Sequence, residues 1–213
     1  MTEAVRPTTG DDDVARLFAS RTEPIHDLAD HAGTVAAACH AMAVRFHQGG
    51  KLVVFGTGSA STDALHVAVE FVHPVIVGKR ALPAISLTAD IATVTGLAAR
   101  DGMGSIFAHQ IHYLAGPTDI ALGICADGGD ESVLRGLVSA HEMGMLTIGM
   151  VGDSGTTGRS AISQSAAVDH LLTARSADPR IVKEVQVTTY HLLWELVHVF
   201  FEQPGVLDPE VVR

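Results

Sequence analysis

Four side chains in this sequence have the types and spacing of a proton-transfer or metal site. Asp63, His66 and Glu70 stand at i, i+3 and i+7, which places them on one face of a helix. Their neighbours Leu65, Val67, Val69, Phe71 and Val72 make that helix apolar around most of its circumference. Polar groups on such a helix need partners or a cleft. Far along the chain Lys183, Val187, His191 and Glu195 recur every four residues, again on one face of an apolar segment. A carboxylate and an imidazole on two such helices are the parts of a general base and acid pair. With His66 added they are also the parts of a divalent metal site. For the trio Asp63, His66 and Glu70 alone, a solvated helix surface is the competing account.

The elements that must position these groups alternate. Helical spacing runs from about Asp11 to Gln48 and stops at Gly49-Gly50. Short apolar runs then follow: KLVVF (Lys51 to Phe55), LPAISL (Leu82 to Leu87), TDIALGIC, MLTIGMVG and, alternating less clearly, AVDHLLTA. Helical patterns separate them: TDALHVAVEFVH, SIFAHQIHYLA, ESVLRGLVSAHEM and a long closing helix from about Pro179 to Glu202. Asp178 can cap that last helix, Pro179 suits its first turn, and Pro204-Gly205 stops it. The expected fold is a three-layer α/β/α sandwich around a parallel sheet of about five strands. Nothing repeats and no linker divides the chain. Residues 1–14 read as a mobile tail and 15–213 as one domain, with the N-terminal helices packed outside it against another subunit.

Composition narrows the function classes. Of 213 residues, 14 are basic and 24 acidic, a formal charge of -10, which disfavours nucleic acid as a ligand. No apolar run reaches the roughly 18 residues of a membrane helix. Cys39 and Cys125 match no metal or redox spacing and read as reduced thiols of a cytoplasmic protein. His109 and His112 lie three apart without a third ligand nearby, and read as surface histidines.

In an open parallel sheet, ligands sit beyond the carboxyl ends of the strands. Three loops qualify: Gly56 to Ser61, Thr88 to Ala99 and Cys125 to Asp130. The first, GTGSAS, is a poor dinucleotide fingerprint, since Ser61 takes its third glycine position and no acidic residue ends the next strand. The third loop, inside GICADGGDES, has the glycines of a phosphate cradle but carries Asp127 and Asp130.

The segments GTGSASTDALHVAVEF, ALPAISLTAD, DIALGIC, MGMLTIGMVG and RIVKEVQVTTYHLLWEL fall in the order of the sugar isomerase (SIS) domain, which the chain resembles from roughly Phe46 to Glu202. More narrowly it resembles the phosphoheptose isomerase group, which converts sedoheptulose 7-phosphate to a heptose phosphate. The resemblance implies a flavodoxin-like topology. It also implies Glu70 as catalytic base, His191 as acid, and a zinc or similar divalent site on His66, Glu70 and His191. Substrate contacts are implied for Gly58, Ser59, Ser61, Asp63, Asp90, Asp127, Asp130 and Lys183, and a homotetramer whose helices pair across subunits.

Departures from the pattern carry equal weight. Where the family reads Ser-Thr-Ser-Gly-x-Ser to hold the sugar phosphate, this chain has Cys125, Ala126, Asp127 and Asp130. Ala60 replaces a phosphate-facing serine, and Lys183 a metal-ligating glutamine. Two readings follow. One is an aldose–ketose isomerase of a sugar phosphate or related sugar. The other is a non-catalytic SIS module, an oligomeric adaptor or ligand sensor with a degenerate phosphate loop.

Overall fold

The computed structural model describes residues 10–155, 160–203 and 207. Five parallel strands lie in the order β2-β1-β3-β4-β5: β1 Leu52–Gly56, β2 Ala84–Ser86, β3 Ile120–Cys125, β4 Leu146–Asp153 and β5 His170–Arg175. The sequence LVVFG of β1 and IALGIC of β3 are buried at every position, as a central parallel strand covered on both faces requires. The edge strands are weaker. β2 holds three half-buried residues, and β5 is only partly buried, which is why its apolar pattern alternates poorly. At the opposite end of the sheet from the site, the Asp119 carboxylate accepts from the Lys51 amide (2.9 Å), Lys51 Nζ (2.5 Å) and the Gly116 amide (2.8 Å). That network fixes where β1 and β3 begin.

Helices cover both faces. One layer contains α3 (Ala32–His47), α4 (Ser59–Val72) and α8 (Pro179–Glu202), packed on Leu52, Val54, Leu122, Ile124, Ile148 and Met150. The other contains α5 (Ile91–Asp101), α6 (Ile106–Leu114) and α7 (Glu131–Glu142), packed on Val53, Phe55, Ala121, Cys125 and Val151. Successive strand residues point to opposite faces, so neighbours such as Val53 and Val54 serve different layers. The three-layer sandwich read from the sequence is the observed fold.

Several expectations need correction. The N-terminal helical stretch is three helices, α1 (Asp11–Ala19), α2 (Thr22–Asp30) and α3, and α3 does not pack outside the unit. Its Val35, Ala38, Cys39, Met42, Ala43 and Phe46 are buried in the same core as α8, and Phe46 stacks on Phe71 of α4 at 5.6 Å. The core needs this helix because α4 and α8 alone do not cover one face of the sheet. α1 begins at Asp11, inside the stretch read as a tail; residues 1–9, and the stop at Pro204-Gly205, lie outside the described residues. The segment Thr88 to Ala99, read as a loop, is mostly α5. Only Leu97 of α5 is buried, so it offers little apolar periodicity.

α8 begins as its sequence requires: the Asp178 carboxylate accepts from the Arg180 amide at 2.9 Å, one residue beyond Pro179. Among the described residues no helix is long and apolar enough to cross a membrane.

Candidate active site

The strand order reverses between β1 and β3, and in an open parallel sheet ligands sit beyond the carboxyl ends of the strands at such a point. α4 leaves the first loop, and α8 lies beside it in the same layer. That shared layer brings together residues about 120 positions apart in sequence.

His66, Glu70 and His191 converge within one chain. One ligand atom from each lies within 4.8 Å of the others. His66 Nε2 is 3.1 Å from Glu70 Oε1, and the His66 and His191 rings meet edge to face at 5.2 Å. The Glu70 side chain is 12% exposed and that of His66 43% exposed, so the carboxylate is the more enclosed of the two. Two imidazoles and a carboxylate are the donor set of a catalytic metal site that keeps an open position. The group fits a divalent ion, though the donors would draw closer than 4.8 Å to share one. It is the one such group among the described residues. His109 and His112 instead pack on Tyr113, at 5.0 and 4.8 Å between ring centres.

Asp63, one turn before His66, is buried and does not face an empty cleft. Lys183 Nζ donates to its Oδ2 at 2.7 Å, and also to the Ser59 carbonyl (3.0 Å) and Thr62 Oγ1 (3.4 Å). Lys183 therefore neutralises Asp63 and lies against the first turn of α4. That turn starts at Gly58, whose φ of 55° favours a residue without a Cβ, and no side chain caps it. The Ser61 hydroxyl donates back to the Gly58 carbonyl at 2.7 Å, whereas Ser59 is exposed. Lys183 thus lies beside the start of α4, where the Ala60 amide donates to the Thr57 carbonyl (3.0 Å) and the Ser61 amide to the Gly58 carbonyl (3.2 Å).

The N-terminus of α7 is the opposite case. Asp130 caps it, accepting from the Ser132 amide (2.8 Å), the Val133 amide (3.2 Å) and the Ser132 hydroxyl (2.6 Å). The Thr57 hydroxyl of the first loop donates to its other oxygen. Burial works to raise the Asp130 pKa, but the Ser132 and Thr57 hydroxyls and the two amides together hold it below the usual carboxylate range. Asp130 is thus a fixed anion bridging the first and third loops.

The other acidic candidates are placed elsewhere. Asp127 is exposed, accepts from the Gly129 amide at 2.9 Å, and borders a separate cleft with Gly152, Asp153, Thr173 and Ser176. A Cβ on Gly152 would meet the Ala126 carbonyl, so glycine there lets this loop lie against β4. Asp90 caps α5, accepting from the Ala92 amide (3.0 Å), the Thr93 amide (3.2 Å) and the Thr93 hydroxyl (2.6 Å). Loss of a cap costs about 1 kcal/mol. Asp90→Ala is expected to lower the melting temperature by about 2–4 °C, measured by calorimetry, with substrate affinity unchanged if capping is its whole role. Cys125 is a buried thiol whose pKa burial raises, not a nucleophile.

Three residues escaped the sequence reading. Thr57 holds Asp130. Gln186 is buried and donates to the carbonyls of Cys125 (2.9 Å) and Met150 (3.4 Å), tying α8 to the ends of β3 and β4. Tyr190 places its hydroxyl 2.9 Å from His66 Nδ1. Burial, with the charges of Asp63 and Glu70 nearby, pushes this phenol up to about 12. For Gln186 and Tyr190 the available signal was a polar atom on a helix face otherwise apolar.

Residues 18–152 match the family model of the SIS domain. The phosphoheptose isomerase of Solidesulfovibrio magneticus is 36% identical over 181 residues, covering 84% of this chain and 85% of that protein. That of Aquifex aeolicus is 35% identical over 170 residues, covering 80% and 82%. The structure of a phosphoheptose isomerase from Francisella tularensis superposes with a TM-score of 0.80 at 28% identity, covering 88% of this chain and 97% of that one.

Proposed function

The chain belongs to the SIS domain family, and from that premise we propose that it is an aldose–ketose isomerase acting on a sugar phosphate of the phosphoheptose type. The observation that carries this reading is the convergence of His66, Glu70 and His191 within one subunit. Such a reaction moves a hydrogen between adjacent carbons and a second proton between the two oxygens they bear. Glu70, whose side chain is 12% exposed, takes the carbon-bound proton and returns it to the neighbouring carbon. His191, which is exposed, carries the oxygen-bound proton. Each needs to reach its proton within hydrogen-bond distance or through one water.

His66, Glu70 and His191 are also the residues that would hold a zinc or similar divalent ion, and such an ion polarises substrate oxygens as a Lewis acid. Lys183 supplies no lone pair, so the protein offers three donors and leaves a further position open. The uncapped first turn of α4, with Ser59 exposed and Lys183 beside it, is the element suited to the phosphate.

The direct test is NMR observation of purified protein with sedoheptulose 7-phosphate, before and after chelation and with zinc restored. Appearance of a heptose phosphate, with solvent deuterium incorporated at the carbon that exchanges its proton, supports the reading. Absence of both with zinc present sinks it.

We place the reaction in the cytoplasm, where the free buried thiols Cys39 and Cys125 stay reduced, and assign it to a homotetramer. Val14, Leu17 and Phe18 on α1 and Leu65, Val69 and Val72 on α4 are exposed, a large apolar surface for a lone chain. Light scattering is expected to give four times the 22.3 kDa chain mass; a monomer at micromolar concentration would refute that assembly.

A further inference from the structure

We propose that Tyr190 is a positioning residue for the reaction, its hydroxyl fixing the ring orientation and proton placement of His66; this rests on the isomerase reading for its kinetic consequence only. Tyr190 is 2% exposed, and its ring is held edge-on between His66 (5.4 Å) and His191 (4.8 Å). Its hydroxyl lies 2.9 Å from His66 Nδ1, its one hydrogen-bond partner among the described residues. The opposite nitrogen, Nε2, faces Glu70 Oε1 at 3.1 Å.

Proton placement follows from what each atom can offer. A carboxylate only accepts, so the Nε2 atom facing Glu70 carries a hydrogen. In the neutral ring Nδ1 is then an acceptor, and the phenol donates to it. The series runs from Tyr190 through His66 to Glu70, each group donating to the next. His66 needs this anchor because its side chain is nearly half exposed. An imidazole so exposed on a helix surface otherwise samples other rotamers, and the Glu70 carboxylate loses its one hydrogen-bond partner among the described residues.

The same hydroxyl serves a metal-loaded site. A ligand at Nε2 needs that nitrogen's lone pair, so the hydrogen moves to Nδ1 and requires an acceptor. The phenol oxygen can accept that hydrogen, though more weakly than its own hydrogen donates. Phenylalanine can do neither, yet fills the same space. Outer partners of this kind change metal affinity by about 10–100-fold.

The experiment compares wild type, Tyr190→Phe and Thr189→Val. Thr189 is the neighbouring buried hydroxyl, bonded to the Val185 carbonyl at 2.8 Å; losing it perturbs α8 without touching His66. Nitrogen-15 NMR of His66 in metal-free protein is expected to show Nε2 protonated and Nδ1 bare in wild type and Thr189→Val. In Tyr190→Phe the two nitrogen shifts move toward each other as both tautomers populate. Zinc titration should weaken about 10–100-fold in Tyr190→Phe only. With sedoheptulose 7-phosphate, kcat should fall about tenfold with KM within a factor of three.

An unchanged His66 spectrum in Tyr190→Phe overturns the anchoring. An equal change in Thr189→Val reduces Tyr190 to helix packing and overturns it as well. A changed spectrum with wild-type kcat overturns its bearing on turnover. If the wild type turns over no sugar phosphate at all, the isomerase reading fails, while the spectrum and the zinc titration still decide the role of Tyr190.

Discussion

Glu70→Gln is expected to lower kcat by about two to four orders of magnitude, the range that a positioned general base contributes, while KM stays within a few-fold. Glutamine keeps the volume of the side chain and can still accept a hydrogen bond from His66 Nε2, now 3.1 Å from Glu70 Oε1. What it lacks is a lone pair basic enough to remove a proton from carbon. Ground-state contacts with the sugar hydroxyls survive, so the loss falls on the transition state. Stability should change little, since no cation is left unpaired: the buried lysine partner here is Asp63, not Glu70. The measurement is initial rate against substrate concentration, with solvent deuterium exchange into the sugar as a second readout. A kcat within tenfold of wild type would mean that another group removes the proton, and the assignment of Glu70 as base would fall. Loss of zinc affinity without loss of exchange would leave Glu70 a ligand only.

The pairing of α4 with α8 shows how far local pattern reaches. Asp63, His66 and Glu70 could be set on one face from their spacing, and Lys183 and His191 on another, because helical periodicity is a local property. That the two faces meet could be argued only from the family resemblance, since it depends on both helices covering the same side of the sheet. The partners themselves are chosen by that meeting. Nothing within a few residues of Lys183 says that it neutralises Asp63, 120 positions earlier, and nothing near Tyr190 names His66, 124 positions away. α5 was lost for a different reason. Its segment carries Gly96 and two threonines and buries only Leu97, so its turn-like composition outweighed a faint apolar stripe. The role of Asp90 went with it, because a cap cannot be recognised without its helix. Asp130 was half legible. A helix could be expected to start at Glu131, and aspartate just before a helix is a good N-cap, but the clash with a phosphate loop drew attention to its charge instead. The structure gives it both properties, a cap and a fixed charge.

Asp130→Ser should tighten binding of a sugar phosphate by about 10–100-fold at low salt. As built, Asp130 engages the amides of Ser132 and Val133 and the hydroxyls of Ser132 and Thr57, so the donors that the α7 terminus and the first loop could turn toward an anion are already answered. The carboxylate stays ionised, because those same donors hold its pKa low. Like charges about 4 Å apart repel by about 1 kcal/mol in water and about 4 kcal/mol near a protein surface. A half-buried Asp130 falls between these limits, and 1.4 kcal/mol is tenfold in affinity. Serine is itself a good cap, so the helix start survives while the charge and one bridge to Thr57 go. The gain should shrink as salt is raised, since screening removes the same repulsion in wild type. Asp127→Ser is the control: Asp127 is exposed and borders the other cleft, so its removal should shift affinity by less than about threefold. Calorimetric titration with sedoheptulose 7-phosphate at 20 mM and 500 mM salt, on the order of a full Debye regime apart, separates the outcomes. Tight wild-type binding that Asp130→Ser leaves unchanged at both salts would place the phosphate wholly at α4, against Ser59 and Lys183, with Asp130 merely a cap. A tightening that appears only in Asp130→Ser, and fades with salt, would make that one charge the reason the wild type holds its sugar phosphate less tightly than its loops otherwise allow.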